Sequence, residues 1–366
     1  MKFNRLFLAV AICDLLALPP ASAATKSYSF TDLGELAGCP YSRAYDINNK
    51  GVVVGQAIKD IAHASDAHAI IWDHEKVAHI PNLKGSDYGT ARSVNDKGEV
   101  VGGNRIENYG SHGFQVLGPS QALVFTNGKA SPLVPSAASN LMSNAYSINN
   151  QGQVAGEDSR RAVIWDHGSK IPLSVSSTTF SLSIAFAINN RGNAAGIIDY
   201  NRGSNKHVAT LWLSKEMNSL PPLEGDMGAD AFAINDKDEV VGASYAAYQS
   251  KVVFWENGKA VGLIDPYGHP VAPGVAYGIN NKSQIVGYAL TDRNHMHAIL
   301  WEKVPPGVGP GMIVPTDLNG IVSHPPEMEL IVARSINDDG QIVGEALVHD
   351  EIHAFLLTPV SATQKP

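Results

Sequence analysis

In AYSINNQGQVAG, Ala145 to Gly156, two short apolar arms flank Asn-Asn-Gln-Gly, the pattern of a tight β-hairpin. Nearly the same twelve residues stand at Ala44, Ala91, Ala185, Ala231, Ala276 and Ala333, so the hairpin is written seven times. The equivalent asparagines are Asn48, Asn95, Asn149, Asn189, Asn235, Asn280 and Asn337, 40 to 57 positions apart. That period is the range of propeller blades and not of helical solenoids. Strict alternation in the first arm would put Ala145, Ser147 and Asn149 on one side and Tyr146 and Ile148 on the other. Neither side is strongly charged, which fits a sheet packed between two neighbours. The turn reads as type I with a left-handed fourth residue; Asp238 tolerates that conformation, and local strain is expected at Ser283.

Downstream of each hairpin an apolar strand follows, usually ending in tryptophan: HAIIW at His68, QALVF at Gln121, RAVIW at Arg161, VATLW at Val208, KVVFW at Lys251, HAILW at His297 and HAFLL at His353. A short segment built around a leucine comes next, at Leu83, Leu133, Leu173, Leu223, Leu263 and Leu318. Four strands of about five residues per period make a β-meander blade. After HAFLL the chain ends without a seventh leucine segment, while SFTDL, Ser29 to Leu33, stands alone before the first hairpin. The expected fold is therefore all-β, a seven-bladed propeller closed by an N-terminal strand that completes the last blade.

The combination of DLGEL at Asp32, the AxxINxxGxVVG hairpin and HAFLL at His353 resembles the bacterial HAF-repeat proteins, named for their His-Ala-Phe triplet. The resemblance covers essentially the whole chain after its first residues. It implies a secreted or surface β-propeller and says almost nothing about activity. This chain departs from the triplet: His is replaced by Gln121, Arg161, Val208 and Lys251, and the Phe stands only at Phe355.

The first residues carry Lys2 and Arg5, an apolar run from Leu6 to Leu18, Pro19 and Pro20, then Ala21-Ser22-Ala23. That is the pattern of a secretory signal peptide, residues 1–23, cut after Ala23 to leave one propeller domain, 24–366, with no membrane span. Cleavage leaves 25 basic against 34 acidic side chains, net −9, and this acidic balance argues against nucleic acid as a partner. It also leaves Cys39 as the single cysteine, read as a buried inert thiol. A closed ring of this kind is expected to be a monomer.

Candidate chemistry is sparse. SINDDGQIVG from Ser335 resembles the start of a calcium loop, but Val343 stands at the ninth position and Gly344 after it, so side chains closing their own turn are the better reading. His295 and His297, two apart on an expected strand, are the candidate zinc ligands, although no third ligand is identifiable. HDEIH from His349 has the wrong spacing for a zinc site on a strand. The tryptophans, all at one repeat position, read as wedges between blades. Calcium and zinc thus remain weak candidates, and no cofactor is predicted.

Loop length points to one end of the ring. The Asn turn never changes length, whereas the second-to-third connection runs from 6 positions (Gly156 to Ala162) to 20 (Gly102 to Ala122). The connection from Trp301 to Ala333 spans 32 positions where its equivalents span 19 to 21. Binding usually lives on such variable loops, so Tyr109, His112, Tyr200, Tyr245, Tyr248 and His324 are the candidate ligand-binding residues. The functional reading is a secreted or periplasmic binding or scaffold module for a polysaccharide or a protein. The alternatives are a lyase or hydrolase with its site at the channel mouth and a purely structural envelope protein. An unpaired, converging cluster of histidine and carboxylate at the channel mouth would mark the enzyme; an aromatic-lined open groove would mark a sugar binder.

Overall fold

A computed structural model describes residues 27–60, 67–74, 76–83, 86, 88–109, 115–134, 142–176, 180–200, 207–247, 249–291, 293–304, 313–349 and 351–360. They form seven four-stranded antiparallel sheets arranged as the blades of a propeller. Residues 1–23, the expected signal peptide, lie outside these residues, and among those described no helix is long and apolar enough to cross a membrane. The inner strands of blades one to seven are Tyr41–Ile47, Tyr88–Val94, Ser143–Ile148, Leu182–Ile188, Gly228–Ile234, Gly274–Ile279 and Met328–Ile336.

The ring closes as the leucine count requires. Ser27–Asp32 pairs antiparallel with Glu351–Val360, from Ser27 opposite Val360 to Asp32 opposite Phe355. The Leu33 N–H donates to the Ala354 carbonyl at 3.0 Å, the contact that Leu173 makes with Ala162 at 3.0 Å. In blades one and four this contact belongs to Ile80 and Leu220, not to Leu83 and Leu223, because the fourth strands end at His79 and Ser219. The pairing covers the edge of Glu351–Val360 and gives the last blade its fourth strand.

The core lies between blades. Ile164 and Leu173 of blade three, for example, pack against Ile188, Ile198 and Trp212 of blade four. The tryptophans are the expected wedges: the Trp212, Trp255 and Trp301 indole N–H groups donate to Ser174, Pro221 and Ile264 carbonyls just past the preceding blade's last strand. Cys39 is buried beside Ala44 and Trp72.

Strict alternation of the inner strand fails at the same motif position in all seven blades, and in the last blade once more between Leu330 and Val332. A β-bulge falls between Ala44 and Asp46, and again between Ala91 and Ser93, Ala145 and Ser147, Ala185 and Ala187, Ala231 and Ala233, Ala276 and Gly278, and Ala333 and Ser335. The extra residue re-aims the side chains around it, so Tyr146, Ser147, Ile148 and Asn149 all reach the central channel. The bulge also explains the glycine that ends the motif. A Cβ on Gly55 or Gly196 would stand 1.9 Å from the Arg43 or Ile184 carbonyl oxygen, so only a residue without one lets the second strand approach.

Candidate functional site

The central channel is lined by five consecutive residues from each inner strand and its turn. At one end of it sit the Asn turns. Each motif asparagine accepts two backbone N–H bonds of its own turn through Oδ1; for Asn149 the donors are Gln151 at 3.0 Å and Gln153 at 2.9 Å. Its Nδ2 then leaves the blade and donates to the backbone carbonyl of the next motif asparagine, 2.9–3.0 Å away in every case. The last, Asn337, donates back to Asn48, so seven hydrogen bonds form a closed circle. A second circle runs beside it: each following backbone N–H, from Asn49 round to Asp338, donates to the side-chain Oδ1 of its counterpart one blade on, at 2.8–2.9 Å. The left-handed turn residues Asp238 and Ser283 have φ of 60° and 59°. Both side chains serve the same seam, Asp238 accepting from Asn189 and Ser283 donating to Glu239.

Above the asparagines Ile47, Val94, Ile148, Ile188, Ile234, Ile279 and Ile336 form an aliphatic layer, each 4–9% exposed. One residue higher the layer is Asp46, Ser93, Ser147, Ala187, Ala233, Gly278 and Ser335. Asp46 is its single carboxylate. Oδ1 accepts from Ser335 Oγ at 2.7 Å, and Oδ2 accepts from Ser93 Oγ at 2.8 Å and the Val94 N–H at 3.0 Å. Removal from water pushes the Asp46 carboxyl above the usual range in spite of these donors.

The bulge residues form the next layer, a collar of five aromatic rings and two guanidinium groups. Tyr146, Phe186, Phe232 and Tyr277 stand in an arc with successive ring centres 5.3, 5.5 and 5.6 Å apart. Arg334 lies over Tyr277 at 4.4 Å, and Arg92 lies between Tyr45 at 5.2 Å and Tyr146 at 5.9 Å. The second strands back the collar: Tyr45 donates to Gln56 at 2.8 Å, while Glu157 accepts from Asn144 at 2.7 Å. Burial pushes the Tyr45 phenol and the Glu157 carboxyl up. Collar and floor enclose a cavity of about 310 Å³, with the collar as the layer nearest the variable-loop end.

The residues singled out from loop length are dispersed around that same end. The long second-to-third connection of blade two proves to be mostly strand, Val100–Tyr109 and Gln115–Thr126, with Tyr109 opposite Gln115 at the tip of the hairpin. His112 and Tyr248 lie outside the described residues. Tyr200 is 2.7 Å from Ser176 Oγ. Tyr245 donates to Asp230 Oδ2 at 2.8 Å, and Asp230 Oδ1 faces His207 Nδ1 at 2.9 Å. His295 and His297 do not share a strand face as expected. His295 falls in the turn before the strand Met296–Lys303, where its carbonyl accepts from the Thr291 N–H at 2.9 Å. His297 instead lies between carboxylates, Nδ1 2.8 Å from Asp317 and Nε2 2.7 Å from Glu329. Among the described residues no cluster of three potential ligands is arranged to hold a metal ion. His324 lines a hollow of about 520 Å³ beside this group, together with Glu327 and His349.

The collar was missed because alternation hides it. The available signal is the second motif position, which holds only aromatic residues and arginine in all seven copies.

No family model matches the chain, and no curated protein matches it. Among solved structures the chain is similar to TolB from Acinetobacter baumannii, with TM-score 0.39 and 14% identity over 59% of this chain and 52% of that one. It is similar to a Trypanosoma rangeli sialidase in complex with 2,3-difluorosialic acid, with TM-score 0.39 and 10% identity over 87% and 54%. It is also similar to a triple-arginine mutant of AofleA from Arthrobotrys oligospora, with TM-score 0.40 and 12% identity over 92% and 91%. The chain spans about half the length of the first two. These likenesses are distant and describe the propeller architecture alone.

Proposed function

We propose that the protein is a binding module that takes a sugar ring into the central channel from the variable-loop end. The observation that carries this reading is the collar. Seven bulges turn seven side chains into one channel, and those side chains are rings and guanidinium groups, which stack on sugar faces and donate to hydroxyls. A cavity of about 310 Å³ is at the small end of ligand sites and suits a single ring. Polar groups within reach, Asp46 and Arg92, would fix its orientation. The wall offers stacking, hydrogen bonding and charge, which is the chemistry of recognition.

Export belongs to the same proposal. Residues 1–23 act as a signal peptide, and the propeller works in the periplasm or outside the cell, in keeping with the HAF-repeat resemblance. N-terminal sequencing of the exported protein is expected to start at Ala24. The channel reading is tested with protein carrying ¹³C-labelled tyrosine and phenylalanine, titrated with a sugar panel. Binding is expected to move the Phe186 and Phe232 signals, and Phe232→Ala is expected to weaken it about five- to tenfold. A sugar that binds yet shifts only Tyr200 or Tyr245, near the outer loops, refutes the site.

A further inference from the structure

Although the repeat makes the channel nearly sevenfold, its two upper layers are not symmetric. At the collar, blades seven, one and two contribute Arg334, Tyr45 and Arg92 to one side, with Asp46 one layer below them. Blades three to six contribute the arc Tyr146, Phe186, Phe232 and Tyr277 to the other. The layer beneath repeats the division, with Ser335 and Ser93 flanking Asp46 and with Ala187, Ala233 and Gly278 under most of the arc. In cross-section the collar therefore carries its two guanidinium groups on one side, flanking Tyr45 and above Asp46, and an unbroken aromatic arc on the other.

The two collar arginines differ in what they leave free. Arg334 Nε and Nη2 both reach Glu345 Oε1, at 2.8 and 2.7 Å, and Arg43 adds a second guanidinium 3.7 Å from Glu345 Oε2. Arg92 is exposed, and among the described residues it has no carboxylate partner. Its planar group is held by ring faces of Tyr45 and Tyr146. A guanidinium that stacks through its faces keeps its N–H donors at the edge, where they match the two oxygens of a carboxylate. The Asp46 carboxyl accepts from Ser335, Ser93 and the Val94 N–H, and among the described residues it makes no ion pair with Arg92.

We propose that the ligand of the channel is a sugar acid, its carboxylate held by the edge of Arg92 and one ring face against the aromatic arc. This assignment rests on the channel reading above and narrows it from a sugar to an anionic one. The acid is either free or the terminal unit of an acidic polysaccharide whose chain leaves through the open end.

The test is isothermal titration of the purified protein with glucuronate, galacturonate, a galacturonate trimer, glucose, galactose, benzoate and inorganic phosphate. The acids are expected to bind at least about tenfold more tightly than the neutral sugars, benzoate or phosphate. Arg92→Gln is expected to remove that preference while leaving the melting temperature unchanged, and Arg92→Lys to restore part of it. A trimer that binds as tightly as the monomer gives the same support and assigns the acid to a chain end. Neutral sugars that bind as well as the acids, with Arg92→Gln without effect, overturn the acid assignment and leave the channel reading standing. A preference for benzoate or phosphate, or no binding by any compound, overturns the assignment as well. Binding that survives both Arg92→Gln and Phe232→Ala overturns both readings.

Discussion

Replacing Asn149 by alanine isolates the circle that holds the blades together. The side chain is 4% exposed and makes four hydrogen bonds: two accepted within its turn, one given to Gln153 at 2.9 Å and one given across the blade boundary to Asn189 at 2.9 Å. At a net ~0.5–1.5 kcal/mol each, and with the Gln153 N–H and the Asn189 carbonyl left short of a partner, the loss is about 2–4 kcal/mol. Unfolding entropy of about 2.1 cal/mol/K per residue over roughly 340 residues gives about 0.7 kcal/mol per degree, hence a fall of about 3–6 °C. Asn150→Ala is the internal comparison. It loses only the bond from Asp96 N–H and the bond to Asp96 Oδ2, nearer to water, and is expected to cost about 1 kcal/mol. Asn149→Asp keeps the turn acceptor but faces the Asn189 carbonyl with an oxygen, so it should be no better than alanine. Calorimetry and urea titration measure all three. If Asn149→Ala falls no further than Asn150→Ala, the circle does not couple the blades and the reasoning is refuted.

Three further outcomes follow from the same geometry. Gly196→Ala must push the Ile184 carbonyl, 1.9 Å from the new Cβ, and is expected to destabilise by about 3 kcal/mol or more, measured by urea titration; a cost below about 1 kcal/mol contradicts the close approach. Deleting the residues before Gly34 removes the closing strand and uncovers the edge of Glu351–Val360, so light scattering should find association and calorimetry a lower transition; an unchanged monomer argues against closure. Asp46 has a raised folded value, so its favourable contribution is present below the unfolded carboxylate range, near about pH 4, and is lost as pH rises through the folded value. Asp46→Asn should therefore gain melting temperature relative to the parent more at pH 8 than at pH 4, and an equal offset at both refutes the burial argument.

The ring and its closure are legible from sequence because each blade repeats one set of strands and the leftover SFTDL matches the one missing segment. The role of asparagine is only half legible. A turn-closing Oδ1 follows from local chemistry, but the Nδ2 bond joins residues 40 to 57 apart, and no local pattern announces it. The collar was hidden for a different reason: alternation assigns Tyr146 and Ser147 to opposite faces, and a bulge places both in the channel. The motif glycine is the trace the bulge leaves in the sequence, since close approach of the bulged strand excludes a Cβ there. The shared face expected of His295 and His297 was not legible either, because a turn takes the first of them off the strand on which their spacing would matter.

The most direct test of the central claim is a crystal structure of the protein grown with galacturonate. The account predicts one sugar ring in the channel, its carboxylate within hydrogen-bond distance of Arg92 and its face against Phe186 and Phe232. Sugar bound only among the outer loops, with the collar unoccupied, would contradict it.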